Sequence, residues 1–287
     1  MKRIGVLANG RKPDAAAVLE RVARKAKVLG MELVVCEQTG DLLTCANRVS
    51  AEQFASRIDV LMALGGDGTV LRAVRALGGA DRPVLGVNLG SLGFLTSVTE
   101  ENVERALDVL ASGEYTTSTR TLLQSRLLRG GKEVAVYRAL NDVVVGWGAS
   151  SRVNTIELAI DDEPVSSYVC DGLIVSTPTG STGHSLSSGG PILHPGSPCF
   201  VVSVICPHTL SNRPVVVSDG CRISVRIVKT MKKLLLSVDG QEEQEVGQGD
   251  QLELSRHAQG VRFVHLPGYS YYSVLRQKLG WRGSSIQ

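Results

Sequence analysis

The sequence has few aromatic residues, although it is rich in other apolar residues. Aromatic residues make up 4% of the 287 residues, whereas hydrophobic residues reach 43% and charged residues 21%. These proportions exclude a disordered chain. A core built mainly from Val, Leu, Ile and Ala suits strands that are buried on both faces.

The sequence also lacks a long apolar run and a paired-cysteine metal motif. After three residues with two basic side chains, the apolar run Ile4–Ala8 is too short for a signal-peptide core. No run approaches the length of a membrane span. The six cysteines include no C-x-x-C pair. We therefore expect a cytoplasmic protein with reduced, mostly buried thiols and no membrane partner.

Signatures of nucleic-acid binding and of two common nucleotide folds are missing. The net charge is +3, and no block of five or six like charges occurs, so we expect no nucleic-acid partner. Neither G-x-x-x-x-G-K-[ST] nor G-x-G-x-x-G is present. A P-loop ATPase and an ordinary Rossmann dehydrogenase are therefore disfavoured.

The first part of the chain alternates strand and helix patterns. Short apolar runs predict strands at Ile4–Ala8, Met31–Cys36, Ile58–Leu64 and Pro83–Val87, and helical spacing predicts helices at Asp14–Leu29, Ala51–Arg57, from Val70 onward and at Glu101–Leu110. This alternation predicts an α/β domain with a doubly wound parallel sheet.

After about Tyr115 the pattern changes to short, closely spaced strands separated by turn clusters. Examples of these clusters are Arg129–Lys132, Asp161–Pro164 and the pair Asp239-Gly240. This pattern predicts a β-rich, sandwich-like second domain. We place the boundary near Thr117.

The segment Gly65-Gly66-Asp67-Gly68-Thr69 lies between a buried strand and a helix. Its glycines allow backbone N–H groups to face an anion, and the helix N-terminus adds a favourable field. Asp67 indicates a group that handles a hydroxyl or a metal ion. The alternative is a tight turn in which Asp67 caps the helix.

Three further segments contain candidate binding groups. In Asn88–Leu95, Phe94 could contact an adenine, although burial under the loop is the favoured interpretation. Asp171–Pro191 offers backbone amides and hydroxyls suited to sugar and diphosphate; its His184 is more simply a structural side chain. Asn141-Asp142 interrupts an apolar run and could bind a ribose diol, or could mark an edge strand or bulge.

Together these segments resemble the NAD kinase family over nearly the whole chain. The matching segments are GGDGT (65–69), NLGSLGFL (88–95), the Asn-acidic pair (141–142), DGLIVSTPTGST (171–182), SGGPILHP (188–195), ICPHTLSNRPVV (205–216) and DGQ (239–241). The resemblance implies a nucleotide-binding α/β domain at 1–117 and 263–287, to which the C-terminal segment returns. It implies a β-rich NAD-binding domain at 118–262.

The resemblance also implies an activity and a set of site residues. The γ-phosphoryl group of ATP, or the terminal phosphoryl group of polyphosphate, would pass to the 2′-hydroxyl of the adenosine ribose of NAD, with Mg²⁺ bound to the triphosphate. Asp67 would be catalytic, and Gly65, Gly66, Gly68 and Thr69 would form the phosphate loop. NAD would contact Asp67, Gly68, Arg72, Phe94, Asn141, Asp142, Arg152, Asp171, Thr179, Thr182, Gly183, His184, Ser185, Leu186, Ser187 and Gln241. A homodimer or homotetramer is expected.

The sequence departs from the family pattern at three positions. The usual Asn-Glu pair is Asn141-Asp142, and the usual Thr-Ala-Tyr is Thr182-Gly183-His184. Asp keeps the carboxylate on a shorter stem, and His keeps a flat ring of smaller area. We expect activity to survive these changes. Two alternatives are a lipid or sphingoid-base kinase, which would share GGDGT, and a non-catalytic NAD(P)-binding regulator.

Overall fold

The computed structural model describes residues 2–36, 39, 41–43, 45–91, 93–146, 154–209 and 211–281. The chain divides into two compact units. Unit 1 comprises Met1–Thr119 and Val261–Gln287, and unit 2 comprises Arg120–Gly260.

Unit 1 begins with strands that alternate with helices. Its first strands are β1 (Arg3–Ala8), β2 (Glu32–Cys36), β3 (Asn47–Val49), β4 (Val60–Gly65), β5 (Val84–Asn88), β6 (Val98–Thr99) and β7 (Thr116–Arg120). Strands β1 to β6 pair in parallel with their neighbours. Parallel pairing requires a crossover between successive strands, and helices supply most of these connections.

The helices of unit 1 cover both faces of this sheet. They are α1 (Ala15–Val28), α2 (Ala51–Phe54), α3 (Asp67–Ala76) and α4 (Val103–Ser112), with 3₁₀ turns at Ala55–Arg57 and Glu100–Asn102. Apolar side chains of α1 and α4 join Ile4 and Val6 of β1 in one buried cluster. On the other face, Gly5 lies against Phe54 and Ile58, where an added Cβ would lie 2.7 Å from Ile58 Cδ1.

Unit 2 consists of two six-stranded antiparallel sheets. The strands are β8 (Leu123–Arg129), β9 (Lys132–Ala139), β10 (Asp142–Gly146), β11 (Asn154–Ile160), β12 (Glu163–Cys170), β13 (Gly172–Ser176), β14 (Cys199–Ile205), β15 (Val215–Ser218), β16 (Ile223–Lys229), β17 (Leu234–Val238), β18 (Glu242–Val246) and β19 (Gln251–Arg256), with a 3₁₀ turn at Gly180–Thr182 and helix α5 at His184–Ser187. One sheet has the order β15-β14-β13-β10-β17-β18, and the other β12-β11-β16-β19-β8-β9. Both contribute to one buried cluster, which includes Val143 of β10 and Ile156 of β11, so the sheets pack face to face.

The C-terminal segment returns to unit 1. It contains β20 (Val261–His265) and α6 (Tyr271–Leu279). Strand β20 pairs in parallel with β5, with Phe263 opposite Val84. The sheet order is then β3-β2-β1-β4-β5-β20-β7, with β6 beside β5. The predicted fold class is therefore confirmed: an α/β unit with a doubly wound parallel sheet, a β-rich unit, and a C-terminal return.

Two predictions about buried and apolar features have different outcomes. All six cysteines are free, but only Cys36 and Cys170 are buried, so the prediction of mostly buried thiols is wrong. Among the described residues, no helix is long and apolar enough to cross a membrane. The longest of these helices, α1, has 14 residues, whereas a span needs about 20.

Candidate active site

In unit 1, the predicted catalytic aspartate is held by a neighbouring loop. Gly66 is the N-cap of α3 and Asp67 is its first residue, so the interpretation of Asp67 as a helix cap is wrong. Instead, Asp67 Oδ2 accepts a hydrogen bond from the Phe94 N–H at 2.9 Å, and Oδ1 accepts one from the Leu95 N–H at 2.9 Å. The loop after β5 therefore fixes the carboxylate that follows β4.

Two glycines permit this close packing. A Cβ at Gly93 would lie 1.9 Å from Asp67 Oδ1, and a Cβ at Gly65 would lie 2.2 Å from Thr69 Oγ1. Both distances are far below van der Waals contact, so larger residues would displace the carboxylate or the threonine. The two motifs that the sequence analysis identified separately thus form one packed structure at the carboxyl edge of the sheet.

Two basic side chains lie near this edge of the unit 1 sheet. The Arg72 guanidinium donates to the Ala8 carbonyl at 3.1 Å, and its Nε is buried without a hydrogen-bond partner among the described residues. The exposed Lys12 places its Nζ 3.7 Å from where a Cβ of Gly90 would be. Lys12 was not predicted as a site residue, because its proximity to the loop after β5 depends on the fold.

The Phe94 ring is only half-buried, so the prediction that it buries under its loop holds in part. The Nζ atom of Lys278 on α6 lies 5.8 Å from the ring centroid. This distance is within the range of a cation–π contact. One face of the loop is therefore supported by the C-terminal helix.

In unit 2, three predicted residues line one cavity of about 340 Å³. They are Asn141, Asp142 and His184. Six residues that were not predicted as site residues complete the lining: Val144, Leu235, Ser237, Asp239, Gly240 and Glu243. The cavity is bounded by strands β10, β17 and β18 and by helix α5, so it depends on contacts that are remote in sequence.

Asp142 is the first residue of β10, in the interior of its sheet. Strand β10 lies between β13 and β17 and pairs with both in continuous register. The edge-strand or bulge interpretation of Asn141-Asp142 is therefore wrong. Asp142 is 6% exposed. Burial, and then the negative charge of Asp239, raise the pKa of Asp142 to about 7.

In the hydroxyl-rich segment after β13, some side chains are hydrogen-bonded within the protein and others are not. The fully buried Ser185 places its hydroxyl 3.1 Å from that of Ser203, and it therefore supports the loop. Thr179 Oγ1 is buried without a partner among the described residues, as is Asn141 Oδ1. The remaining predicted residues, Thr182, Gly183, Leu186 and Ser187, are half-buried or exposed on the 3₁₀ turn and α5.

The structure does not bring every predicted residue to the cavity. Asp171 precedes β13, which pairs with β10 so that Ser176 is opposite Asp142. Asp171 is therefore about 17 Å along the strand direction from Asp142. Gln241 follows the turn at Asp239 and Gly240, and its N–H donates to the Val238 carbonyl at 3.0 Å. Arg152 lies outside the described residues.

Comparison with known proteins shows a family match in both units. Residues 4–115 match the ATP-NAD kinase N-terminal domain, and residues 140–266 match the ATP-NAD kinase C-terminal domain. The chain is 38% identical over 281 residues to an NAD kinase of Geotalea daltonii, covering 98% of this chain and 99% of that protein. The chain belongs to the NAD kinase family.

A second relative and two solved structures are also similar to this chain. An NAD kinase of Syntrophotalea carbinolica is 39% identical over 98% of this chain and 99% of its own length. The crystal structure of yeast NADH kinase complexed with NADH has a similar fold, with a TM-score of 0.89 and 24% identity over 99% of this chain and 89% of that one. An NAD kinase from Archaeoglobus fulgidus in complex with ATP has a TM-score of 0.74 and 25% identity over 97% of each chain.

The predicted activity is confirmed by this assignment. The protein is an enzyme, an NAD kinase, and phosphorylates NAD. The lipid kinase and the non-catalytic regulator are set aside as alternatives. Asp239 is one of the cavity-lining residues that were not predicted as site residues. Its Asp-Gly signal correctly predicted a turn, but the target of its carboxylate depends on the pairing of β10 with β17.

Proposed function

We propose that Asp67 orients the 2′-hydroxyl of the adenosine ribose of NAD for attack on the γ-phosphorus of ATP. The observation that carries this proposal is the pair of 2.9 Å hydrogen bonds from the Phe94 and Leu95 N–H groups. They hold the carboxylate in one position, and each oxygen keeps a lone pair for a hydroxyl proton. Positioning of this kind supplies much of the catalysis in phosphoryl transfer.

Asp67 acts mainly by orientation and accepts the proton late. A carboxylate is a weak base for an alcohol. The transition state of phosphoryl transfer is loose, so the hydroxyl loses its proton as the bond to phosphorus forms. The γ-phosphoryl group passes to the ribose oxygen, the bond to the β-phosphate oxygen breaks, and ADP leaves.

The triphosphate of ATP binds at the carboxyl edge of the unit 1 sheet. Strand β1 has β2 on one side and β4 on the other, so the chain reverses its direction of winding between β1 and β4. Ligands of doubly wound sheets bind beyond such a switch point. The Gly65–Thr69 loop and the N-terminus of α3 offer backbone N–H groups there. Arg72 and Lys12 supply positive charge at the same edge.

The dinucleotide binds in the cavity of unit 2. Asn141 lines this cavity, and its buried Oδ1 has no partner among the described residues and is available to a ligand. Thr179 Oγ1 is also buried without such a partner, but Thr179 is not among the cavity-lining residues. The Asp142 carboxylate can accept hydrogen bonds from two ribose hydroxyls. His184 supplies a flat ring at the cavity wall. Asp171, Gln241 and the exposed residues of α5 would contact parts of the dinucleotide beyond this cavity.

Several finer points follow from the family resemblance and are proposed with this function. ATP, bound by the Archaeoglobus fulgidus relative, is the expected donor, and polyphosphate is the alternative donor. The described residues contain no group of three or more metal-ligating side chains. Mg²⁺ commonly binds through substrate phosphates and few protein ligands, and Asp67 could contribute one oxygen. The protein is a homodimer or homotetramer in the cytoplasm in this proposal. Its nucleotide-binding domain comprises residues 1–117 and 263–287, and its NAD-binding domain comprises residues 118–262.

A coupled assay tests the role of Asp67. Protein, NAD, ATP and Mg²⁺ are incubated, and an NADP-specific dehydrogenase reports NADP. We expect Asp67→Asn to lower kcat by at least about a hundredfold without changing the melting temperature by more than a few degrees. Asp81→Asn is the matched control, because Asp81 is an exposed carboxylate of unit 1 paired with Arg262. An Asp67→Asn enzyme with near wild-type kcat would contradict the assignment.

A further inference from the structure

The side chain of Asp239 holds three consecutive residues at the start of β10. Asp239 Oδ2 accepts the Leu140 N–H at 2.9 Å, and Oδ1 accepts the Asn141 N–H at 2.7 Å and the Asp142 N–H at 3.2 Å. The Asp239 N–H donates to the Asp142 carbonyl at 3.0 Å. One aspartate of the β17–β18 turn thus determines the backbone course of the Asn141-Asp142 pair.

The turn itself is built for this contact. Asp239 and Gly240 have φ values of +54° and +62°, and they are the two central residues of a β-turn in which the Gln241 N–H donates to the Val238 carbonyl at 3.0 Å. An L-residue with a short polar side chain tolerates this region better than most others. From this turn the Asp239 carboxylate reaches the backbone N–H groups at the start of β10.

The Asn141-Asp142 pair is also held from the opposite side. The Asn141 carbonyl accepts the Thr177 N–H at 2.8 Å. A Cβ at Gly180 would lie 2.2 Å from the Asn141 carbonyl oxygen, so the loop after β13 packs directly against it. The two side chains of the pair are therefore presented to the cavity on a rigid backbone, and Asn141 Oδ1 lacks a partner among the described residues.

Three carboxyl groups line this cavity. Asp142 and Asp239 both line it, together with His184 from α5 and Glu243 from β18. Asp239 receives the three N–H donors, which are the partners that an ionised, acceptor-only carboxylate requires. Asp142 is buried beside that charge, and burial and the Asp239 charge raise its pKa to about 7. Its charge therefore changes near neutral pH.

We propose that Asp239 is a positioning residue that fixes Asn141 and Asp142 for the dinucleotide and, through its charge, sets the pH range in which Asp142 binds ribose hydroxyls. This inference rests on the proposed binding of the dinucleotide in the unit 2 cavity. An ionised Asp142 accepts hydrogen bonds from both hydroxyls of a diol, whereas a protonated one has fewer acceptor sites. The wild-type KM for NAD should therefore fall as the pH rises through about 7.

The test measures kcat and the KM for NAD from pH 5.5 to 8.5 in wild type, Asp239→Asn and Asp239→Glu. We expect Asp239→Asn to raise KM about tenfold, since it removes bonds that hold two binding groups, and to move the midpoint of the KM profile to lower pH by about one unit. Its kcat should change less than KM. Asp239→Glu keeps the negative charge but not the geometry, so KM should rise while the midpoint stays near that of wild type.

Asp250→Asn is the matched control. Asp250 is also a buried carboxylate of unit 2; it accepts the Gly247 N–H at 2.9 Å and pairs with Arg129 at 2.8 Å. It is not among the residues that line the cavity. This variant should lower the melting temperature and leave the midpoint of the KM profile unchanged.

Two outcomes would overturn the inference. One is an Asp239→Asn enzyme with the wild-type KM profile, whatever its melting temperature. If Asp239→Asn does not fold, an Asp239→Glu enzyme with wild-type KM would also overturn it. Asp142→Asn separates this inference from the proposed function. If Asp142→Asn leaves NAD binding intact, the cavity assignment itself fails; if it weakens binding while Asp239→Asn shifts nothing, only the role of Asp239 fails.

Discussion

Asp67 in unit 1 and Asp142 in unit 2 both lie beside the end of a buried strand, but their carboxyl groups have different surroundings. Asp67 accepts two backbone N–H groups from the loop after β5. Asp142 is itself buried at the wall of a cavity that Asp239 also lines. Backbone donors fix the position of a carboxylate, whereas a neighbouring carboxylate makes the charge of a buried acid sensitive to pH. The first arrangement suits a group that orients a nucleophile, and the second suits a binding group.

Replacing Gly93 should affect the unit 1 site most strongly. The new Cβ of Gly93→Ala would lie 1.9 Å from Asp67 Oδ1, so the carboxylate must move. Because displacement of about 1 Å can cost about a hundredfold in rate, we expect kcat to fall by about that factor. A double-mutant cycle with Asp67→Asn provides the control. Gly93→Ala should have little further effect in that background, and full additivity would show that Gly93 does not act through Asp67.

Replacing Gly180 provides the corresponding test in unit 2. The Cβ of Gly180→Ala would meet backbone atoms of Asn141 at 2.2 to 2.6 Å, which cannot move cheaply. We expect a loss of about 1–3 kcal/mol in the free energy of unfolding and a larger change in the KM for NAD than in kcat. Gly247→Ala is the control, since a Cβ there has no neighbour within 4 Å. A Gly180→Ala enzyme with normal stability and normal KM would contradict the packing described.

The Asp142→Asn variant should bind NAD more weakly but resist unfolding better at high pH. The folded-state pKa of Asp142 is raised from 3.8 to about 7, so the folded state holds this proton more tightly than the unfolded state. The contribution of Asp142 therefore lowers the free energy of unfolding as the pH rises from about 4 to 7, by at most about 4 kcal/mol. Denaturant unfolding at pH 5 and pH 8 measures this change in the free energy of unfolding with pH. An equal change in the free energy of unfolding between these pH values in wild type and Asp142→Asn would contradict this prediction.

Removing the Lys12 charge should have the smallest effect. Lys12 is exposed, and solvent screens its interaction with a triphosphate. We expect Lys12→Ala to raise the KM for ATP about threefold at low salt, less at high salt, with an unchanged KM for NAD. Lys27→Ala, an exposed lysine near the end of α1, should change neither constant. A change in the KM for NAD instead would show that Lys12 does not belong to the ATP site.

The sequence predicted four strands of unit 1, β1, β2, β4 and β5, to within two residues because their patterns are local. The predicted strand Ile58–Leu64 is Val60–Gly65 in the structure, and the predicted Pro83–Val87 is Val84–Asn88. Both are continuous apolar runs bounded by turn residues, which is the pattern of strands covered on both faces. The short strand β3 was not predicted, because three residues with two exposed side chains carry no such pattern.

The contacts that define the candidate sites could not be predicted because they depend on strand order and register. The hydrogen bonds of Asp67 require that β4 and β5 be neighbours, and those of Asp239 require the pairing of β10 with β17. The family resemblance identified Asp67 and Asp142 as site residues. It did not show what holds each carboxyl group, and this information comes only from the fold.

The most direct test of the two assignments is to measure kcat and the KM for NAD of Asp67→Asn and Asp142→Asn under identical conditions at pH 8. We expect Asp67→Asn to lower kcat by at least about a hundredfold with a smaller change in KM. We expect Asp142→Asn to raise KM with a smaller change in kcat. The reverse pattern, or an equal loss of kcat in both variants, would contradict the division of chemistry and binding between the two aspartates.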